Sequence, residues 1–149
     1  MSTVHVTTKI NAPPQRVWET VMNPDRLGDW VTIHRAVKDV SDHPLKNGST
    51  MEQVLHMRGF SFHVHWKLTG VTEPEHAEWE GRGPANSRAL IRYELSGDED
   101  GPTTFDYTNE FTPPGGKLGG VASRLIVGAA SEREADKSLS QLKRLIESD

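Results

Sequence analysis

The stretch Ser61-Phe62-His63-Val64-His65-Trp66-Lys67-Leu68 changes character at every residue. Phe62, Val64, Trp66 and Leu68 form an apolar set, while Ser61, His63, His65 and Lys67 form a polar one. Successive side chains of a strand point to opposite faces, so this pattern predicts a strand with one buried and one wet face. It continues to Thr72 and repeats on either side, giving candidate strands at 33–40, 50–58, 61–72, 76–82, 87–96 and 103–112. Turn formers separate them: Asp42-His43-Pro44 with Asn47-Gly48, Arg58-Gly59, Glu73-Pro74, Gly83-Pro84, and Gly97 to Pro102. Connections this short join antiparallel neighbours, so a meander is expected.

Outward from the meander, residues 3–10 alternate as well. Val4, Val6, Thr8 and Ile10 oppose Thr3, His5, Thr7 and Lys9, which predicts a seventh strand. Asn11 reads as a helix cap, with Pro13-Pro14 in the first turn, where missing N–H groups are tolerated. Val17, Trp18, Val21 and Met22 follow at helical spacing, and Pro24 stops that helix. Asp25 to Trp30 reads as a second, very short helix.

At the other end, Pro113-Pro114-Gly115-Gly116 breaks the sheet pattern. Leu118, Val121, Leu125, Ala129, Ala135, Leu139, Leu142 and Ile146 then predict one amphipathic helix, about 45 Å long at ~1.5 Å per residue. Arg124, Glu132, Arg133, Glu134, Lys137, Lys143 and Arg144 fall on its polar side. A sheet with one apolar face needs a cover, and this helix is the element long enough to supply it. The expected fold is α+β: a seven-stranded curved antiparallel sheet, two short helices after the first strand, and a long C-terminal helix over an apolar cavity. No repeat or long linker divides the sequence, so residues 1–149 are read as one domain.

Composition narrows the chemistry. The chain has no cysteine, which removes disulfides, thiolate metal sites and a Cys nucleophile. Its net charge is −4 and no Lys/Arg run exceeds two residues, so no nucleic-acid partner is expected. No apolar run approaches the ~18 residues of a membrane span. The Met1-Ser2-Thr3-Val4 start lacks the charged-then-apolar order of a secretion signal. A cytoplasmic protein without membrane insertion is expected.

Three motifs and the element order resemble the helix-grip, START-like (SRPBCC) superfamily, and within it the polyketide cyclase/dehydrase group. The motifs are Ile10-Asn11-Ala12-Pro13-Pro14-Gln15-Arg16-Val17-Trp18, then Pro24-Asp25-Arg26-Leu27-Gly28-Asp29-Trp30. The third is the glycine-broken entry Gly115 to Gly120, leading to Leu142-Lys143-Arg144-Leu145-Ile146-Glu147. The resemblance spans essentially the whole chain. It implies a sheet gripping a helix around an internal cavity. Aromatase/cyclases, lipid and hormone carriers and actinobacterial toxins of toxin–antitoxin pairs all belong to that superfamily, so the fold leaves the function open.

Strand parity then sorts the candidate ligand-binding wall: Gln53 and Leu55, Phe62, Val64 and Trp66, Trp79, Ile91 and Tyr93, and Phe105, Tyr107 and Asn109. Trp30 joins them from the short helix, and Leu118, Val121, Ala122 and Leu125 from the long one. Gln53, Tyr93, Tyr107 and Asn109 are polar intruders in an otherwise apolar face. Each is costly without a partner. Either a neighbour satisfies it, or it orients a ligand whose bulk the hydrophobes hold.

Tyr93, Tyr107 and His34 are the candidates for proton transfer, with Glu110 weaker because its parity is that of the outer face. There is no Gly-x-Ser-x-Gly elbow and no phosphate loop. His56, His63 and His65 share one face with Glu52. A turn at Gly59-Phe60 would set His56 opposite His63, and one at Arg58-Gly59 would set it opposite Ser61. That face looks to solvent and lacks the shielding metal sites use, so no metal and no cofactor are expected. Gly115, Gly116, Gly119 and Gly120 read equally as a mobile gate or as a sheet-to-helix corner.

The first functional expectation is binding of a hydrophobic or aromatic, lipid- or polyketide-like molecule in the cavity. The alternative is a polyketide cyclase or dehydratase using cavity Tyr or His side chains. A second alternative is a regulatory or toxin-like interaction protein. The expected partner is a hydrophobic small molecule, the expected state a monomer, with weak homodimerisation left open.

Overall fold

Alternation becomes strand at all seven expected positions in the computed structural model, which describes residues 2–115 and 120–149. The strands are β1 (Ser2–Ile10), β2 (His34–Lys38), β3 (Thr50–Met57), β4 (Phe60–Thr72), β5 (His76–Arg82), β6 (Arg88–Gly97) and β7 (Thr103–Thr112). They form one antiparallel sheet in the order β1-β7-β6-β5-β4-β3-β2. β2 to β7 are therefore the predicted meander, and β1 adds to its far side by pairing with β7. The β3–β4 turn is Arg58-Gly59, with φ of 50 and 83°. Two positive φ values make a tight hairpin turn whose twist matches the strands. It sets His56 opposite Ser61 and Met57 opposite Phe60. A register shift between Leu68 and Gly70 interrupts the β4–β5 ladder, a bulge of the kind that bends a sheet.

Helices α1 (Pro14–Val21) and α2 (Leu27–Trp30), with a 310 turn at Pro24–Arg26 between them, carry the chain from one sheet edge to the other. Asn11 does not cap α1. Pro13 occupies the cap position, leaving Asn11 too far upstream to reach the orphan N–H groups. Its own backbone N–H donates instead to Glu147 Oε2 at 2.8 Å.

The single helix expected from Leu118 to Ile146 is two helices, α3 (Gly120–Ala129) and α4 (Glu132–Ser148). Ser131 breaks it. Its backbone is extended (φ −76, ψ 159°), and its hydroxyl accepts from the Glu134 N–H at 3.3 Å. A serine offers helix N–H groups a side-chain partner, and here it starts a new helix rather than continuing the old one. α4, 17 residues long, is the cover. It packs on β1, α1 and α2, burying Ala135, Leu139, Leu142 and Ile146 in one core with Ile10, Val17, Trp18 and Phe105. Leu118, Gly116 and Gly119 lie outside the described residues.

Candidate functional site

Between the inner face of the sheet and the α2, α3 and α4 helices lies a cavity of about 140 Å3. Strand parity brings most of the predicted wall to it. Gln53, Leu55, Phe62, Val64 and Trp66 line it from β3 and β4; Trp79, Ile91, Tyr93, Tyr107 and Asn109 line it from β5 to β7; Trp30 closes it from α2. The aromatic rings interlock. Trp30 meets Tyr93 edge-on at 6.3 Å between centroids, Tyr93 lies 6.3 Å from Tyr107, and Trp66 meets Trp79 at 6.4 Å.

Four predicted wall residues are elsewhere. Phe105 is fully buried behind the wall, 5.4 Å from Tyr93. Val121 is 65% exposed, and Ala122 and Leu125 are half-buried away from the cavity. Ile126, Ala129 and Ala130 line it in their place. The cause is the break at Ser131. Ile126 and Leu139 are thirteen residues apart, which in one continuous helix would set them on nearly opposite sides. Both line the cavity because α3 and α4 have independent rotations.

Of the polar intruders, Gln53 is satisfied within the protein. Trp66 Nε1 donates to Gln53 Oε1 at 2.9 Å, and Gln53 Nε2 lies 2.9 Å from His34 Nδ1. An indole nitrogen can only donate, so the amide orientation is fixed and Gln53 must donate to His34. His34 Nδ1 is therefore an acceptor, and its proton sits on Nε2. Burial lowers the His34 pKa from 6.5, in keeping with a neutral ring. His34 itself is half-buried and stands behind Gln53, outside the cavity wall.

Asn109 Oδ1 is buried without a hydrogen-bond partner among the described residues, and so are Trp30 Nε1 and Trp79 Nε1. Burial raises the Tyr93 pKa, with the Tyr107 phenol adding to it. Tyr107 is pushed up to about 12, again by burial, with Asn109 opposing. Both phenols hold their protons near neutrality.

Glu134 and Ser138, assigned to no wall by periodicity, also line the cavity. Glu134 was expected on the polar side of the helix and is buried. Thr32 Oγ1 donates to its Oε2 at 2.9 Å, the Thr32 N–H donates to Ser138 Oγ at 3.1 Å, and Lys137 Nζ reaches Glu134 Oε1 at 3.3 Å. The spacing Ser131-x-x-Glu134 was the available signal, since it is that of a helix-starting capping box.

On the outer face, Glu52 is shared by Lys38 Nζ (3.0 Å), His63 Nδ1 (3.2 Å) and His65 Nε2 (3.1 Å), while His56 Nδ1 meets Ser61 Oγ at 2.7 Å. Hydrogen bonding from Lys38, then from His63, holds the Glu52 carboxyl below its usual range. Among the described residues, no group of three or more His, Asp or Glu is arranged to hold a metal ion. Nor is any helix long and apolar enough to cross a membrane.

Comparison with known proteins bears on the family and the fold. An uncharacterised protein of Mycobacterium tuberculosis is 23% identical over 147 residues, 97% of this chain and 99% of its own. A second M. tuberculosis protein, named as a toxin, is 21% identical over 89 residues, 60% of this chain and 62% of its own. The solved Zhui aromatase/cyclase of a Streptomyces species shares the fold with a TM-score of 0.78 at 16% identity, over 98% of this chain and 93% of that one. The family model for polyketide cyclase / dehydrase and lipid transport matches residues 1–147. The chain belongs to the polyketide cyclase / dehydrase and lipid transport family.

Proposed function

We propose that residues 1–149 act as one binding domain that holds a hydrophobic or aromatic small molecule between the sheet and the α3 and α4 helices. The observation that carries this reading is the cavity of about 140 Å3, walled by Trp30, Trp66, Trp79, Phe62 and Tyr93 with few polar atoms. Apolar walls with a handful of placed polar groups are the usual make-up of a small-molecule site. The family, which combines cyclases with lipid transport, supports the same class of ligand.

Binding is favoured over catalysis by the state of the candidate acid–base groups. Efficient proton transfer needs a pKa near the working pH. Tyr107 at about 12 and Tyr93, also raised, are poor acids and poorer bases. His34 Nδ1 is occupied by Gln53, and the ring is not in the wall. The toxin-like reading has its own support in the 21% identity to the protein named as a toxin, confined to 89 residues.

Three of the four tryptophans line the cavity, so intrinsic fluorescence reports on it directly. A panel of single- and fused-ring aromatics and short lipids is expected to yield a binder that quenches or shifts that emission. The same binder should raise the unfolding free energy by about 2.7 kcal/mol at a hundredfold excess over Kd. A panel without any binder at high micromolar concentration defeats the proposal and leaves the interaction-protein reading in front.

A further inference from the structure

We infer that His34 is a pH switch for the cavity wall: a proton taken up by its ring outside the cavity breaks the Gln53 bridge, unsettles Trp66 inside, and weakens the hold on a bound molecule. This rests on the binding reading above and adds the regulation of that site.

The switch follows from which atoms can donate. Trp66 Nε1 can only donate, so Gln53 presents Oε1 to it at 2.9 Å and Nε2 to His34 Nδ1 at 2.9 Å. In the neutral ring Nδ1 is the acceptor, and so it is also the atom that takes an incoming proton. Once protonated, it is a donor facing the N–H of Gln53, and the contact turns repulsive. The amide then has two responses. It can turn over, giving Oε1 to His34 and aiming its NH2 at the Trp66 N–H, or it can stay and lose His34. Rotating the imidazolium does not help, because both its nitrogens donate and its carbons accept nothing. The first response leaves a buried indole unpaired, the second a buried amide N–H. Gln53 and Trp66 are buried and line the cavity, whereas His34 is half-buried behind them. A proton bound outside the wall is thus felt within it.

The rest of the Trp66 seat is packing. Its ring rests on the bare backbone of Gly81 and meets Trp79 edge-on. A molecule packed against Trp66 and Gln53 therefore selects the bridged wall and with it the neutral His34. By linkage, such a molecule makes His34 harder to protonate in turn. The surroundings leave His34 free to act as the sensor. β3 presents Leu55 and Gln53 to it, and the titratable residues of that strand, Glu52 and His56, lie on the opposite face. α2 presents Gly28, where an added Cβ would lie 3.4 Å from His34 Cδ2, and its one acid, Asp29, is paired with Arg26 at 2.7 Å. On β2 itself Lys38 is paired with Glu52 and Arg35 is exposed; on α4, Glu134 is held by Thr32 and Lys137. Burial, rather than a neighbouring charge, lowers the His34 pKa from 6.5. Affinity is therefore level above that value and falls as the pH drops below it.

The test uses toluene, a neutral probe whose own ionisation cannot enter the result. It suits a cavity of about 140 Å3, close to the ~150 Å3 of one that accepts benzene. If toluene does not bind, a neutral binder from the wider panel replaces it. Its Kd is expected to rise about fivefold from pH 7.5 to pH 5.5, and bound toluene should move the His34 titration to lower pH. In the ligand-free protein, the Trp66 indole N–H resonance should move upfield along the His34 titration curve in 15N-correlated spectra, while that of Trp18 stays still. His34→Asn cannot titrate and Gln53→Leu cannot relay, so both pH dependences should vanish in each variant. Should Gln53→Leu fail to fold, His34→Asn carries the comparison. His63 and His65, which share Glu52 on the outer face, titrate in every one of these proteins and serve as the internal control. A Trp66 resonance that ignores the His34 titration overturns the switch and leaves the binding reading intact. So does a wild-type Kd that is flat with pH, or a pH-dependent Kd that survives in His34→Asn. If Trp66 titrates but toluene and the panel bind at no pH, the binding reading fails and the wall switch stands.

Discussion

At the scale of single residues, Gln53 shows what a polar group on an apolar face can be for. It bridges Trp66 and His34, so its removal orphans a buried indole N–H and the His34 acceptor together. Gln53→Leu is expected to cost ~1–3 kcal/mol in urea unfolding despite the better hydrophobicity of leucine. A neutral or stabilising result would mean that the amide network is not formed. Gly81 makes a second residue-scale case. A Cβ built there would lie 2.5 to 2.9 Å from three atoms of the Trp66 ring. Gly81→Ala therefore forces that ring off its seat, costing ~1–3 kcal/mol and shifting the Trp66 indole resonance. Parity places Gln53 on the inner face, and the same count from Trp79 places Gly81 there. What it could not supply was the partner of each. His34 reaches Gln53 through a β2–β3 register that shifts between His34 and Ala36, and such irregularities leave no mark in an alternation pattern. The indole nitrogens of Trp30 and Trp79 were missed for a different reason: tryptophan was counted by its apolar body, and its one polar atom decides only once its neighbours are known.

At the scale of elements, strands were easier to read than the terminal helices. A strand with one buried face is a local, period-two signal, and every expected strand is present within two residues of its limits. The apolar run toward the C-terminus held a warning, because the step from Ala129 to Ala135 breaks the three- and four-residue spacing of a helix face. The interruption at Ser131 explains that step, and it moves Glu134 from the solvent side to the cavity. Ser131→Ala removes the side-chain acceptor at the start of α4 and should lower stability by about 1 kcal/mol, read as a fall in Tm of a few degrees. Glycine, which serves as a cap nearly as well as serine, should restore most of the loss. The two helices also differ in anchorage. Ile126 is the buried residue of α3, whereas α4 buries Ala135, Ser138, Leu139, Leu142 and Ile146 along with Glu134. Amides of α3 are expected to exchange with solvent well before those of α4. A cavity ligand touching Ile126 and Ala129 should slow α3 selectively; equal exchange in both helices, with and without ligand, would rule out a moving cover.

At the scale of the whole molecule, sheet order and cover follow from pattern and connection length, but cavity volume is a small difference between a large enclosed space and the side chains that fill it. No sequence period reports such a difference. Response to acid is likewise a property of the whole, and its sign can be worked out. Hydrogen bonds from Ser41 and Ser49 lower the Asp42 pKa, Lys38 and then His63 lower that of Glu52, and Lys143 and then the Asn11 N–H lower that of Glu147. Burial lowers that of His34. In all four cases the folded chain prefers the deprotonated form, so it binds fewer protons than the unfolded chain as pH falls. Their contribution is whole above the unfolded pKa values and is lost on acidification through the folded ones. For His34 the loss begins near its ordinary value of 6.5; for the carboxyls it begins near 4.5 and 3.8. The urea midpoint is therefore expected to be level near pH 8, to decline gently below pH 6.5, and to fall more steeply below pH 4.5. His34→Asn separates the two limbs. It keeps an oxygen to accept from Gln53 but cannot titrate, so the gentle limb should flatten while the steep one persists. A wild-type midpoint that rises between pH 7 and pH 5 would contradict the neutral His34 on which the Gln53 bridge depends.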